Sequence, residues 1–166
     1  RMSPATGLLL LEHFNLNVAS TKLAEVFFRD GLLCCRDGRR PPEKKSMHIN
    51  VGPLCQLHTA GPEFEPYIEQ EGPQIWRGAI TVVYKDESDL NTAVANCQEL
   101  TKSADFAPTR LAVHAQPPSS FLVTCPFGNK FELRVATPEE RAGLGREAGS
   151  RDGSEESRAL GIAGAS

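Results

Sequence analysis

From Glu12 to Val18 apolar and polar residues alternate, with Phe14, Leu16 and Val18 on one face and His13, Asn15 and Asn17 on the other. That is the period of a half-buried strand. Ser20 or Thr21 then caps a helix whose stripe of Leu23, Val26 and Phe27 follows the i, i+3, i+4 spacing, and Asp30-Gly31 ends it. Three short strands are predicted next, Leu32–Cys35, Met47–Val51 and Leu54–His58. The order then repeats. A strand over Ala79–Tyr84 precedes a helix capped by Asp86 or Ser88 and striped by Leu90, Ala93, Val94, Cys97 and Leu100. Strands at Arg110–His114, Phe121–Cys125 and Lys130–Val135 complete the second half.

Each half therefore reads β-α-β-β-β, and Gly52-Pro53 and Pro126-Phe127-Gly128-Asn129 supply a turn before the last strand of each. The predicted fold is α+β: paired βαβββ modules forming a curved, cup-shaped mixed sheet with helices on its outer face. Residues 8–137 form one domain, with module one over 8–60 and module two over 74–137. Between them, residues 61–73 carry Glu63, Glu65, Glu69 and Glu71, and the few large apolar residues, Phe64, Tyr67 and Ile68, are read as following neither period. This segment is expected to be an acidic linker. Arg36–Ser46, with Arg36, Arg39, Arg40, Lys44, Lys45 and the pair Pro41-Pro42, is expected to be a basic loop. Residues 138–166 are polar and low in complexity, and Thr137-Pro138-Glu139-Glu140 is the start signal of a short helix.

Composition narrows the functional classes. Eighteen Lys and Arg against twenty-one Asp and Glu give a net charge of −3, so no broad positive field exists to hold nucleic acid. The clearest aliphatic run, Leu8–Leu11, is far shorter than the roughly 20 residues of a membrane span. Five cysteines (Cys34, Cys35, Cys55, Cys97 and Cys125) without C-x-x-C spacing read as reduced, mostly buried thiols. They point to an intracellular setting, the cytoplasm or an organelle interior reached after removal of a targeting peptide. Strand thiols away from helix N-termini are poor nucleophiles, and no phosphate-binding glycine loop follows a strand.

Strand parity shows where chemistry is available. If the apolar faces meet the helices, the opposite face collects His13, His58 and Glu132, and superposing the halves sets His13 opposite Ala79 and His58 opposite Glu132. Two imidazoles and a carboxylate suit a divalent Fe, Mn, Ni or Zn ion and leave positions for a chelating substrate. Asn15, Asn17, Gln56 and Thr81 stand around them as substrate-pocket residues. The same three side chains also read as ordinary sheet residues, with Glu132 paired to Arg134, Lys130 or Arg77.

Glu12-His13-Phe14-Asn15-Leu16-Asn17-Val18, Asn50-Val51-Gly52 leading to Gln56-Leu57-His58, Arg77-Gly78-Ala79-Ile80, and Val123–Leu133 with its Pro126-Phe127-Gly128-Asn129-x-Phe131-Glu132-Leu133 ending resemble the vicinal oxygen chelate superfamily. This is the glyoxalase, bleomycin-resistance and extradiol-dioxygenase group, and the resemblance spans residues 9–136. It implies metal ligands at His13, His58, Ala79 and Glu132, of which alanine cannot coordinate. Three functions follow as expectations. The first is a metal-dependent lyase, isomerase or dioxygenase acting on vicinal oxygens, with Glu132 or a displaced ligand as the base. The second is a metal-free small-molecule binder walled by Trp76, Tyr84, Phe121 and Phe127. The third is a catalytically silent subunit of a larger assembly, whose tail would contact a partner; a homodimer is also open, because the family builds its cup within one chain or across two.

Overall fold

The computed structural model describes residues 13–38, 43, 45–52, 55–72 and 74–142. The expected features at Leu8–Leu11, Glu12, Pro41-Pro42, Pro53 and the tail from residue 143 onward lie outside them.

The repeat is present, strand for strand. In the first half β1 (His13–Leu16), β2 (Cys35–Arg36), β3 (His48–Val51) and β4 (Cys55–Thr59) form a sheet in the order β1-β4-β3-β2. In the second, β5 (Ala79–Tyr84), β6 (Ala112–Gln116), β7 (Ser120–Thr124) and β8 (Lys130–Val135) repeat it as β5-β8-β7-β6. In both sheets the first strand pairs in parallel with the last and the others pair antiparallel. Each sheet is therefore mixed, with the strand that precedes the helix at one edge, β1 or β5.

The helices depart from the simplest reading in ways that matter. Helix α1 (Thr21–Val26) is capped by the Ser20 side chain and continues as a wider π-helical turn over Phe27–Gly31. The widened turn carries both Phe27 and Phe28 into the core, while Leu23 and Val26 of the expected stripe are only half-buried. Leu33 follows with a left-handed backbone, φ 61°, which breaks the extended chain. The expected strand Leu32–Cys35 thus begins only at Cys35.

The acidic linker is also corrected. It forms a 3-10 turn (Pro62–Phe64) and then helix α2 (Glu65–Glu71); Phe64, Tyr67 and Ile68 do stand at helical spacing, but Phe64 and Tyr67 stay exposed. Only Ile68 is buried, so the helix rests on one apolar anchor and one polar tie, the Glu65 Oε1 that accepts the Thr21 backbone N–H at 2.5 Å. Helix α3 (Glu87–Thr101) is capped by Asp86 and buries Leu90, Ala93, Val94 and Cys97 as its stripe predicts. The chain after β8 turns into a helical segment over residues 138–142.

The two halves share one core rather than two. Phe131 of β8 meets Phe27 and Phe28 of the first half at ring-centroid distances of 6.0 and 5.5 Å. Tyr84 Oη donates to Leu32 O at 3.0 Å, and Asn96 Nδ2 donates to Asp30 O at 2.8 Å. Gly31 lies so close to α3 that a Cβ there would stand 3.1 Å from Leu100 Cδ1 and 3.2 Å from Cys97 Sγ, which explains a glycine at this crossing. None of the helices among the described residues is long and apolar enough to cross a membrane.

Candidate functional site

Parity places the polar residues as expected. Along β1 and β4, Leu16 and Leu57 are fully buried, whereas His13 and Asn15 are exposed and His58 is half-buried. On β8, Phe131 and Leu133 are buried while Glu132 and Arg134 lie on the other face.

On the open face of the first sheet His13 and His58 do meet. Their rings stack at 4.6 Å with 14° between planes, since register sets Asn15 beside His58 and His13 two pairs away on the same face. A third imidazole completes a ladder: His48, directly across from His58 on β3, lies 4.0 Å from it at 37°. Sequence reasoning missed His48, although the alternation through Met47–Val51 carried the signal, with His48 and Asn50 at the polar parity.

Gln56 anchors this cluster. It is buried, and its Nε2 donates to Asp37 Oδ2 at 2.7 Å and to Asn50 Oδ1 at 3.0 Å, while its Oε1 lies 2.9 Å from His58 Nε2. An ionised carboxylate only accepts, so Asp37 fixes which end of the amide faces it. The amide oxygen is left for His58, whose Nε2 must then carry the proton. Gln56 is thus a positioning residue inside the sheet surface rather than a pocket wall. Asn17 lies beyond the end of β1 and is exposed.

Glu132 stands apart from the histidines in its hydrogen bonding. It is on the second sheet, where its Oε2 accepts from Thr81 Oγ1 at 3.1 Å, its register partner on β5. Arg134 takes Glu140 instead, through two hydrogen bonds of 2.7 Å. Among the described residues no group of three or more His, Cys, Asp or Glu side chains could hold a metal ion. The donor chemistry agrees: His58 Nε2 carries a proton that it gives to Gln56, so this nitrogen has no lone pair for a metal. As arranged, His13, His58 and Glu132 do not fit a resident metal.

What the fold builds instead is an apolar slot of about 560 Å³ between the modules. Phe14 and Asn15 of β1 line it, as do Ile80, Thr81 and Val82 of β5. Consecutive strand residues point to opposite faces, so contact with all of them means the slot follows the unpaired edges of these strands. Phe28, Leu57 and Phe131 line it from the core, together with the half-buried Cys34 and Cys55. Burial pushes the Cys34 thiol up to about 12, which keeps it protonated and inert. Cys97 is likewise pushed up to about 12, and Cys125 is raised by its burial. All five cysteines are free, but only Cys97 and Cys125 are buried, Cys34 and Cys55 are half-buried, and Cys35 is exposed.

Of the four aromatic walls expected, Trp76 alone lines the slot. Tyr84 and Phe127 are buried, and Phe121 faces a separate cavity near the N-terminus of α3. Trp76 touches Phe14 and Phe131, each at 6.2 Å, with planes 62° and 72° apart. Its backbone is held by Asn129, which is fully buried: Oδ1 accepts from Trp76 N at 2.8 Å and Nδ2 donates to Gln74 O at 2.7 Å. Gly128 makes that turn possible with φ +103°, a backbone region that favours glycine. Asn129 was legible only as a turn residue, yet it fixes the aromatic wall.

The chain shares its α+β fold of two four-stranded mixed sheets with solved structures of antibiotic-binding, resistance and glyoxalase-related proteins. Among solved structures it is similar to TnmS3, an antibiotic binding protein from Streptomyces sp. CB03234, at 15% identity and TM-score 0.50, over 80% of this chain and 99% of that one. It is also similar to a fosfomycin resistance protein, FosX, from Listeria monocytogenes, at 12% identity and TM-score 0.53, over 82% and 98% of the two chains. A glyoxalase-related enzyme from Fulvimarina pelagi gives 14% identity and TM-score 0.51, over 78% and 89%. At these identities the likeness is one of fold. No family model and no curated protein matches the sequence.

Proposed function

We propose that this protein binds a small organic molecule in the slot between its two modules and does so without a resident metal. The observation that carries the reading is the slot itself: about 560 Å³ along two unpaired strand edges, with Trp76 in its wall. That volume falls in the range of ligand cavities, and an apolar lining with a few polar groups at one side is what such sites use to hold and orient a ligand. Asn15 and Thr81 supply those polar groups. The fold is shared with an antibiotic binding protein, which makes binding without turnover a reasonable use of it.

Trp76 is the only tryptophan, so its emission reports the slot directly. A panel of small aromatic compounds should include members that quench it saturably, and Val82→Phe, which fills the slot from β5, should abolish that quenching. No saturable quenching, or quenching unaffected by Val82→Phe, would remove the proposal.

The competing reading is a lyase, isomerase or dioxygenase that binds Fe, Mn, Ni or Zn through His13, His58 and Glu132. It requires His58 to give up the Gln56 hydrogen bond or to coordinate through Nδ1, and Glu132 to leave Thr81. Elemental analysis after incubation with each ion separates the two: one equivalent of metal that His58→Ala loses would support the enzyme. Metal content unchanged by His58→Ala would support the binder.

A further inference from the structure

We infer that the ligand of this slot is an uncharged, mainly apolar, flat molecule that lies against Trp76 and carries a neutral polar group at the rim formed by Asn15 and Thr81. This rests on the slot being the binding site and goes further by naming the class of ligand.

The first argument is charge. None of the described residues that line the slot is Lys, Arg, His, Asp or Glu. A carboxylate, phosphate or sulfonate drawn inside would shed its hydration with no cation to replace it, a loss of several kcal/mol even in a relaxed protein interior. The wall already reports this preference, because burial holds the Cys34 thiol in its neutral form. At the rim Thr81, a lining residue, is tied to a carboxylate: its Oγ1 donates to Glu132 Oε2. An anion approaching Thr81 meets that carboxylate, whereas a neutral hydroxyl or amide can donate to the Thr81 oxygen.

The second argument is shape. Phe14 and Phe131 both meet Trp76 at steep angles, so neither lies stacked on the indole. Trp76 is half-buried and lines the slot between β1 and β5, so a flat ring system entering there meets the indole directly. The rim then has one polar residue on each edge strand, Asn15 on β1 and Thr81 on β5, both exposed. The amide of Asn15 both donates and accepts, so the two together accommodate a neutral group of either polarity.

Three probes sharing a naphthalene ring test the class: the neutral phenylnaphthylamine, the anionic anilinonaphthalene sulfonate, and a naphthalene carrying a trimethylammonium group. Titration of the full chain, read by loss of Trp76 emission and gain of probe emission, should give the neutral probe a Kd at least about tenfold below either charged one. A charged probe binding within that factor would overturn the ligand class and leave the slot standing. Failure of all three, or binding by the neutral probe that Val82→Phe leaves unchanged, would overturn the slot itself. Should Val82→Phe not fold, Cys55→Phe fills the same space from β4 and serves the same purpose.

Discussion

Gln56 joins three polar side chains of the first sheet's open surface. Its amide reaches Asp37 on the chain after β2, Asn50 on β3 and His58 on β4, so one buried residue fixes the tautomer of a histidine and ties three segments together. Gln56→Leu keeps the approximate volume and removes all three hydrogen bonds. A hydrogen bond contributes about 1 kcal/mol net, and buried polar partners resist desolvation, so the variant should lose about 2–3 kcal/mol in urea denaturation. The imidazole nitrogen resonances supply a second measure. In the wild type His58 Nε2 should appear protonated at neutral pH, and in Gln56→Leu that preference should relax. The position of Gln56 on the polar face was legible from alternation; its partners were not. Asp37 lies 19 residues away and Asn50 is set by pairing register, and neither contact leaves a mark in local sequence. Asn129 teaches the same lesson: the sequence shows a turn, and only the packing of residues 74–76 shows that the turn holds a tryptophan.

At the level of elements, strands were read best and connections worst. Ala79–Tyr84 and Lys130–Val135 agree end for end with β5 and β8, because alternation over six residues with one face buried leaves little freedom of register. The connection through α2 is stabilised by Ile68 and by Glu65 reaching a backbone N–H 44 residues earlier, and a contact that distant is invisible to a periodicity argument. The start of the last helical segment was legible because its chemistry is local. Thr137 and Glu140 form a reciprocal cap, with Glu140 N donating to Thr137 Oγ1 at 3.2 Å and Thr137 N donating to Glu140 Oε2 at 2.8 Å. Arg134 of β8 then grips the same carboxylate, and these hydrogen bonds hold Glu140 well below its ordinary 4.5, at about 2. A lowered folded-state value means that this stabilisation is complete above the unfolded value and is lost as pH falls toward the folded one. Glu140→Gln should therefore melt below the wild type at neutral pH, and the difference in Tm should close as pH is lowered from about 4.5 to about 2. The carboxylate is at the surface, so the shift should be small and should shrink in high salt.

At the scale of the whole molecule the two modules are separate in hydrogen bonding and joined in packing. Among the described residues no ladder links the two sheets; what crosses between the halves includes the aromatic cluster of Phe27, Phe28 and Phe131, the Tyr84 hydrogen bond to Leu32, and the close approach of Gly31 to α3. That construction explains how an apolar slot can lie along two strand edges in a protein with a continuous core: edges left unpaired by the sheets are shielded by side chains instead. It also fixes how the protein should unfold. If the modules were independent, a core mutation in one would leave the other intact and produce two transitions. Because each packs its helix residues against the other, the wild type should unfold in a single step. Phe131→Ala removes the ring that touches Phe27, Phe28 and Trp76 at once, and truncation of a buried phenylalanine costs about 3–5 kcal/mol. The variant should show one transition at lower urea, with circular dichroism and Trp76 emission moving together. Two separated transitions would mean that the modules fold alone, and the slot between them would then be a gap between independent units rather than a shaped site.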